Sequence, residues 1–414
     1  MAAATTAAAD AAQDGQTPSL SASPSTSRPR LPPPPPPPTT TTTTSRSRRC
    51  PCTRAQLLAF LGAPSAEGLA DFGRRVADRV LADRSDAGGP RVLFGGGVWV
   101  DAACGGLTDA FRDVAAEAYK SEARTVSFTD EWVKKATDNL IDSMISTDDI
   151  NAATDLVLAN AIYFKGDWME PFQLQFTSPG TFHRLDGGHV ELDFMEKYRR
   201  MDVACMDGFK VLKLPYKLGA TPPAHGQLKR RRGQVDTKSK DMPSTEVNES
   251  TRYSMFVFLP DTRDGMATMV DVVTAAAAFM YSISAEMKLR DVDLKLPKFK
   301  ITFNWGNLKE TLCQLGLTLP FSPEAADLRG MCNGDEGDGK SRRTTFLSKV
   351  AHMAVVNVNE KGTEAGAVAF HVHGGSGPPP DLVEFTADHP FTFFIMEERS
   401  GVIVFVGHIL DPTK

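Results

Sequence analysis

Residues Gly334-Asp335-Glu336-Gly337-Asp338-Gly339-Lys340-Ser341 reproduce the spacing of a phosphate-binding loop. Such a loop works because backbone amides and a helix N-terminus present positive potential to a phosphate. Here Asp335, Glu336 and Asp338 would put three carboxylates in the cradle, and residues 345–358 downstream read as a strand where a helix is needed. The stretch therefore reads as an acidic surface loop. His371 and His373 alternate along one face of an extended segment, yet no third ligand stands near them, so they read as a loop pair and not a metal site. Ser376 is followed by Gly377 and Pro378 to Pro380, which rules out the strand-to-helix elbow of a hydrolase nucleophile. Gly95 to Gly97 run into Trp99 and Val100 and read as a glycine-bearing strand, not a dinucleotide turn. Among the cysteines only Cys50 and Cys52 stand close together, so neither a zinc framework nor a disulfide scaffold is spelled out. No catalytic constellation assembles. The sequence predicts a protein that is not an enzyme and needs no cofactor or metal.

The elements that must carry these residues follow from periodicity. Leu69, Phe72, Val76 and Val80 stand at helical spacing, a second amphipathic helix is predicted over 108–120, and a third over 131–145. Strands are predicted over 155–164, 253–259, 292–296, 346–358, 391–396 and 402–408, with helical patterns over 266–280 and 306–315 between them. This order is an α+β chain with several sheets, not a regular βαβ alternation. The chain has 414 residues, of which 41% are hydrophobic, enough to bury a large core. With 46 Lys plus Arg against 51 Asp plus Glu the net charge is -5, which offers no basic field for nucleic acid. No apolar run is long enough to span a membrane, and the start lacks a secretory pattern, so the expected location is cytoplasmic.

Two segments depart from a packed domain. Residues 1–50 hold a proline run from Pro32 to Pro38 and a threonine run from Thr39 to Thr44, with no Val, Ile, Phe, Tyr or Trp. They predict a disordered tail with polyproline II character, with a plastid transit peptide as the alternative. The polar stretch 219–251 carries the basic run Lys229 to Arg232, a solvated loop insert or else a nuclear address.

Several runs together resemble the serpin family, particularly its plant serpin-Z members. They are Leu158 to Trp168 (LANAIYFKGDW), Leu296 to Ile301 (LPKFKI), Ala326-Asp327-Leu328, Ser348 to His352 (SKVAH), Val358 to Ala365 (VNEKGTEA), Ala387 to Phe391 (ADHPF) and Val404 to Gly407. The resemblance covers about residues 53–414 and implies a serpin domain over 51–414. The fold expected from it is α+β, with three β-sheets, about nine helices and an exposed reactive-centre loop. The activity implied is inhibition of a serine protease as a suicide substrate, in which the cleaved loop inserts as a new central strand. A non-inhibitory serpin, carrier-like, chaperone-like or degenerate, is the alternative.

The resemblance also implies roles. The hinge and reactive-centre loop span 360–390, with hinge residues Glu360, Gly362, Thr363, Glu364, Ala365, Ala367 and Ala369. A segment that must become a buried central strand needs small inward side chains at alternate positions, and Thr363, Ala365, Ala367 and Ala369 supply them. Counting Glu360 as the seventeenth residue before the scissile bond puts that bond between Ser376 and Gly377. The partner implied is a protease with a small-residue preference, elastase-like, or a cysteine protease; the chain is expected to be monomeric and polymerisation-prone. Asn160, His352, Trp168 and Lys298 fall at positions that control opening of the main sheet: Asn160 and His352 as the pair that helps latch it where it opens, Trp168 at its top, and Lys298 as the ion-pair partner of Glu360. A nuclear, plastid or, at the family level, extracellular location stays open.

The family pattern also carries two helices, a strand and a Phe-Ser-Pro-x-Ser stretch ahead of Gln56, none of which is found here. Their loss predicts uncovered apolar surface beneath the sheet opening, polar groups left without partners where the missing stretch would pack beside Asn160 and His352, and impaired inhibition.

Overall fold

A computed structural model of the chain describes residues 52–128, 150, 153–218, 251–275, 279–328, 330–332, 345–361 and 381–414. The tail, the helix expected over 131–145, the basic insert, the acidic loop at 334–341 and His371 and His373 lie outside the described residues.

The chain enters through α1 (Thr53–Phe60) and α2 (Ala66–Arg75). In α2 the Ser65 hydroxyl caps the first turn by accepting from the Gly68 N–H, while Glu67 opens the helix and Arg74 and Arg75 close it, matching the helix dipole. A π-turn over Val76–Val80 follows and buries Ala77 and Val80. The helix α3 (Asp109–Tyr119) is capped by Thr108 and ends on Lys120 in the left-handed region. Further on stand α4 (Met266–Thr274), α5 (Phe279–Glu286) and α6 (Leu308–Gln314).

The first sheet holds five strands in the order β2-β1-β3-β10-β9. These are β1 (Arg91–Asp101), β2 (Ser121–Val126), β3 (Leu156–Lys165), β9 (Phe299–Trp305) and β10 (Leu347–Val358). The near-continuous apolar run of β3 leaves it largely buried, whereas β10 is half-buried along most of its length. A Cβ on Gly97 would lie 2.1 Å from the Trp99 ring, so this glycine makes room for an indole folded across its own strand.

The second sheet runs β11-β8-β5-β6-β7-β12-β13, with β4 paired to β5. Its members are β4 (Thr177–His183), β5 (His189–Cys205), β6 (Phe209–Pro215), β7 (Tyr253–Pro260), β8 (Lys288–Pro297), β11 (Val383–Thr386), β12 (Phe391–Glu397) and β13 (Val402–Ile409). The expected three sheets are thus two among the described residues. The cause is the length of β5, which pairs with β4 and β8 along most of its course and with β6 at its end, joining two smaller sheets into one. Phe164, Phe182, Phe194, Leu212, Val257, Phe385 and Phe393 form the main core between the sheets.

On the core-facing side of the first sheet, Phe94, Leu158 and Ala354 are only half-buried and Phe303 is 42% exposed. This apolar strip lies beneath the centre of the sheet, on the same face as Asn160 and His352.

Candidate functional site: a parallel seam and the root of a loop

The four strand pairings of the first sheet alternate in direction, beginning with β2 and β1, which run parallel. β3 pairs with β1 antiparallel and β10 pairs with β9 antiparallel, but β3 and β10 run parallel from Leu156↔Leu347 to Phe164↔Val356. A parallel pairing is slightly weaker per residue than an antiparallel one. Of the two parallel pairings, β1 with β2 lies at the edge and β3 with β10 in the middle of the sheet, and the chain leaves β10 at one end of this central seam through Asn359, Glu360 and Lys361.

Asn160 and His352 are register partners across this seam, with His352 Nδ1 2.8 Å from Asn160 Oδ1. The two side chains that the resemblance pairs as a latch thus meet across the seam. Burial pushes the His352 imidazole below its ordinary value, so it is neutral at pH 7. Opening the seam to water would restore the ordinary value, so acid below about pH 6.5 favours the opened state.

The loop root is held by two groups of contacts. Glu360 is 5% exposed; its carboxylate accepts from Thr177 Oγ1 at 3.0 Å and lies 3.2 Å from Lys298 Nζ, which also reaches Asp193 at 3.5 Å. Burial pushes the Glu360 carboxyl up, but its backbone N–H contact, the Lys298 ammonium and the Thr177 hydroxyl together hold it below the usual range. Its contribution to stability is therefore present above the ordinary carboxylate value and fades as pH falls through the lowered one.

The second group is a clamp. Trp168 is 2% exposed and stacks on Tyr216 with centroids 4.5 Å apart. Its backbone N–H donates to the Lys361 carbonyl at 3.1 Å, its indole N–H to the Asn359 carbonyl at 2.9 Å, and the Phe172 N–H to the Glu360 carbonyl at 2.7 Å. Three consecutive carbonyls at the root are thus bound by one short segment.

Glu360, Lys298, Trp168, Asn160 and His352 are therefore brought to one seam and its upper end. Gly362, Thr363, Glu364, Ala365, Ala367, Ala369, Ser376 and Gly377 lie outside the described residues. Sequence reasoning missed Thr177, Phe172 and Tyr216. Nothing in their local pattern marks them, because their partners are remote in the chain. Among the described residues no group of three or more His, Cys, Asp or Glu side chains is placed to hold a metal ion.

Replacing Glu360 tests the root directly. Glu360→Lys sets two ammonium groups against each other and leaves the Thr177 hydroxyl unpaired; with Lys298 about a third exposed, the expected loss is about 2 kcal/mol. Native electrophoresis after mild heating should show faster polymerisation than in the unsubstituted chain, with partial rescue when Lys298→Glu is added. Equal rates in all three would refute the pairing.

Comparison with known proteins agrees with this geometry. A family model described as "Serpin (serine protease inhibitor)" matches residues 50–224 and 225–412. Serpin-Z2A of Oryza sativa subsp. japonica is 38% identical over 381 residues, spanning 87% of this chain and 87% of that protein. Serpin-Z2B of Triticum aestivum is 36% identical over 371 residues, spanning 87% of this chain and 84% of the relative. The structure of Arabidopsis AtSerpin1 in its native stressed conformation superposes with a TM-score of 0.70 at 30% identity, covering 87% of this chain and 86% of that one. Family match, relatives and fold agree, and the chain belongs to the serpin family.

Proposed function

We propose that this chain inhibits a serine protease as a suicide substrate, offering residues 362–380 as bait. The observation that carries the reading is the parallel β3/β10 seam with the bait segment tethered at its end. A segment leaving β10 and folding back runs antiparallel to β10 and so also to β3. Entering between them, it replaces one parallel pairing with two antiparallel ones. Thr363, Ala365, Ala367 and Ala369 would face one side of the new strand and are small enough to be buried there.

The bond attacked is Ser376–Gly377, and the absence of Arg and Lys between 362 and 380 favours an elastase-like pocket, with a cysteine protease as the next candidate. The half-buried strip of Phe94, Leu158 and Ala354 and the exposed Phe303 lie under the seam. A loosely supported sheet opens and closes with less coupling to the loop, so a large share of the chain is turned over as substrate. The chain acts as a monomer that polymerises when the seam opens without a protease.

Denaturing electrophoresis of stoichiometric mixtures with an elastase-like protease tests this. The expected result is a covalent band at the summed mass together with a larger amount of cleaved chain. Cleavage without any covalent band would favour a non-inhibitory serpin, and no cleavage within 362–380 would refute the assigned bait.

A further inference from the structure

The clamp at the loop root has two halves with different supports. Trp168 and Met169 are fastened to the end of β6, where Trp168 stacks on Tyr216 and the Met169 N–H donates to the Pro215 carbonyl at 2.8 Å. Glu170 to Phe172 are held instead by Lys197 and Arg199 of β5, with the Phe172 ring edge-on to Trp168 and buried in the main core. Lys197 Nζ donates to the Glu170 carbonyl at 2.5 Å, lies 3.7 Å from the Glu170 carboxylate and stands 5.3 Å above the Phe172 ring. Phe172 is the residue whose N–H holds the Glu360 carbonyl.

We propose that Lys197 is a positioning residue for the bait loop: it carries the half of the clamp that grips Glu360, and it couples release of the loop root to uptake of a proton. The proposal rests on the loop-insertion reading above for its consequence, though not for its geometry.

The coupling has a definite sign. The Lys197 side chain is 15% exposed. Burial pushes its ammonium down to about 8, with the Glu170 carboxylate opposing and Arg199 adding to the fall. Arg199 Nη2 itself lies 2.6 Å from Glu170 Oε1. Among the described residues the charges acting on Lys197 are those of Glu170 and Arg199; its register partner on β8 is Leu294, flanked by Val292 and Leu296, all buried. At the root, Glu360 and Lys298 are occupied with each other.

Lifting Glu170 to Phe172 would uncover Lys197 and return it to the ordinary lysine value near 10.4. The released clamp therefore binds a proton that the closed clamp gives up between about pH 8 and pH 10. Raising the pH through this window favours the closed clamp, and from pH 7 to pH 9 the closed-to-open ratio should grow about tenfold.

Hydrogen exchange of the segment holding the Trp168 and Phe172 amides, corrected for the intrinsic pH dependence of exchange, reads this on the full-length chain. Protection should rise about tenfold from pH 7 to pH 9. Lys197→Met, which keeps the packing on Phe172 without a titrating group, should abolish the step. Glu170→Gln, which removes the facing carboxylate, should move the step to lower pH. Protection that stays flat or falls with pH in the unsubstituted chain, or a full step surviving in Lys197→Met, overturns the proposal. If Lys197→Met fails to fold, an unmoved step in Glu170→Gln overturns it equally. Failure of the insertion reading is distinguishable: the cleaved chain would then gain no thermal stability while the protection step persists.

Discussion

Cleavage of the chain within residues 362–380 by an elastase-like protease should raise its unfolding temperature by on the order of 20 °C. Ordinary nicking of a surface loop lowers stability or leaves it unchanged, because it only adds freedom to the unfolded and folded chains alike. Here the cut frees a tethered segment to enter the β3/β10 seam, where Leu156 to Phe164 and Leu347 to Val356 pair parallel. An inserted strand of about a dozen residues adds on the order of ten net backbone hydrogen bonds, at roughly 1 kcal/mol each. At about 2 °C per kcal/mol for a large domain, this gives the stated rise. The opening cost is local, since the Asn160 to His352 contact and the three carbonyl contacts of the clamp must part. Differential scanning calorimetry of intact and cleaved chain decides it. A change of a few degrees or less would show that the cleaved loop stays out, and would assign the chain to the non-inhibitory serpins.

Where burial follows from one strand's own residues, the fold was legible. β7 reads Tyr253 to Pro260 without a charged residue and is buried along its whole length, and β12 is likewise buried throughout. The spacing of apolar residues marked the helices that Ser65 and Thr108 are found to cap. β4 is absent from the predicted strands, and its Pro179-Gly180 pair is of a type common in turns. In the sheet Gly180 is needed, since a Cβ there would lie 2.9 Å from the Phe194 ring. β5 was hidden by its charged run from Glu196 to Arg200. That run stays extended because every residue in it has a partner on β8. The site divides along the same line. Motif positions brought Glu360, Lys298, Trp168, Asn160 and His352 together, but no pattern along the chain pairs Thr177 with Glu360 across 183 residues. Lys197 looked like one charge among several, and its burial under Glu170 and Phe172 is a product of the fold alone. Asn160 and His352 were expected as a pair from motif positions alone, and the register that brings them together was not legible along the chain. Parallel register places the two side by side and lets each complete the other.

If the chain traps proteases as proposed, Ala365→Arg should turn it into a plain substrate. Ala365 is the second of the four alternating small positions Thr363, Ala365, Ala367 and Ala369, so it would enter the seam early. An inward guanidinium at that point must be carried into the core beneath the sheet, where Leu158, Ile162 and Val356 line the way and offer no carboxylate. An unpaired buried charge costs several kcal/mol even after relaxation, and a barrier raised by about 3 kcal/mol slows insertion more than a hundredfold. Trapping is a race between insertion and hydrolysis of the acyl-enzyme, so such a delay gives nearly all of the flux to hydrolysis. Recognition of Ser376–Gly377 should be unchanged, because position 365 lies eleven residues before Ser376. The measurement is the ratio of covalent band to cleaved chain for the two forms at equal protease. Loss of the band with an unchanged cleavage rate is the expected result. An undiminished band with Arg at 365 would mean that the complex forms without burial of that residue, and the alternation of small side chains would then have another cause.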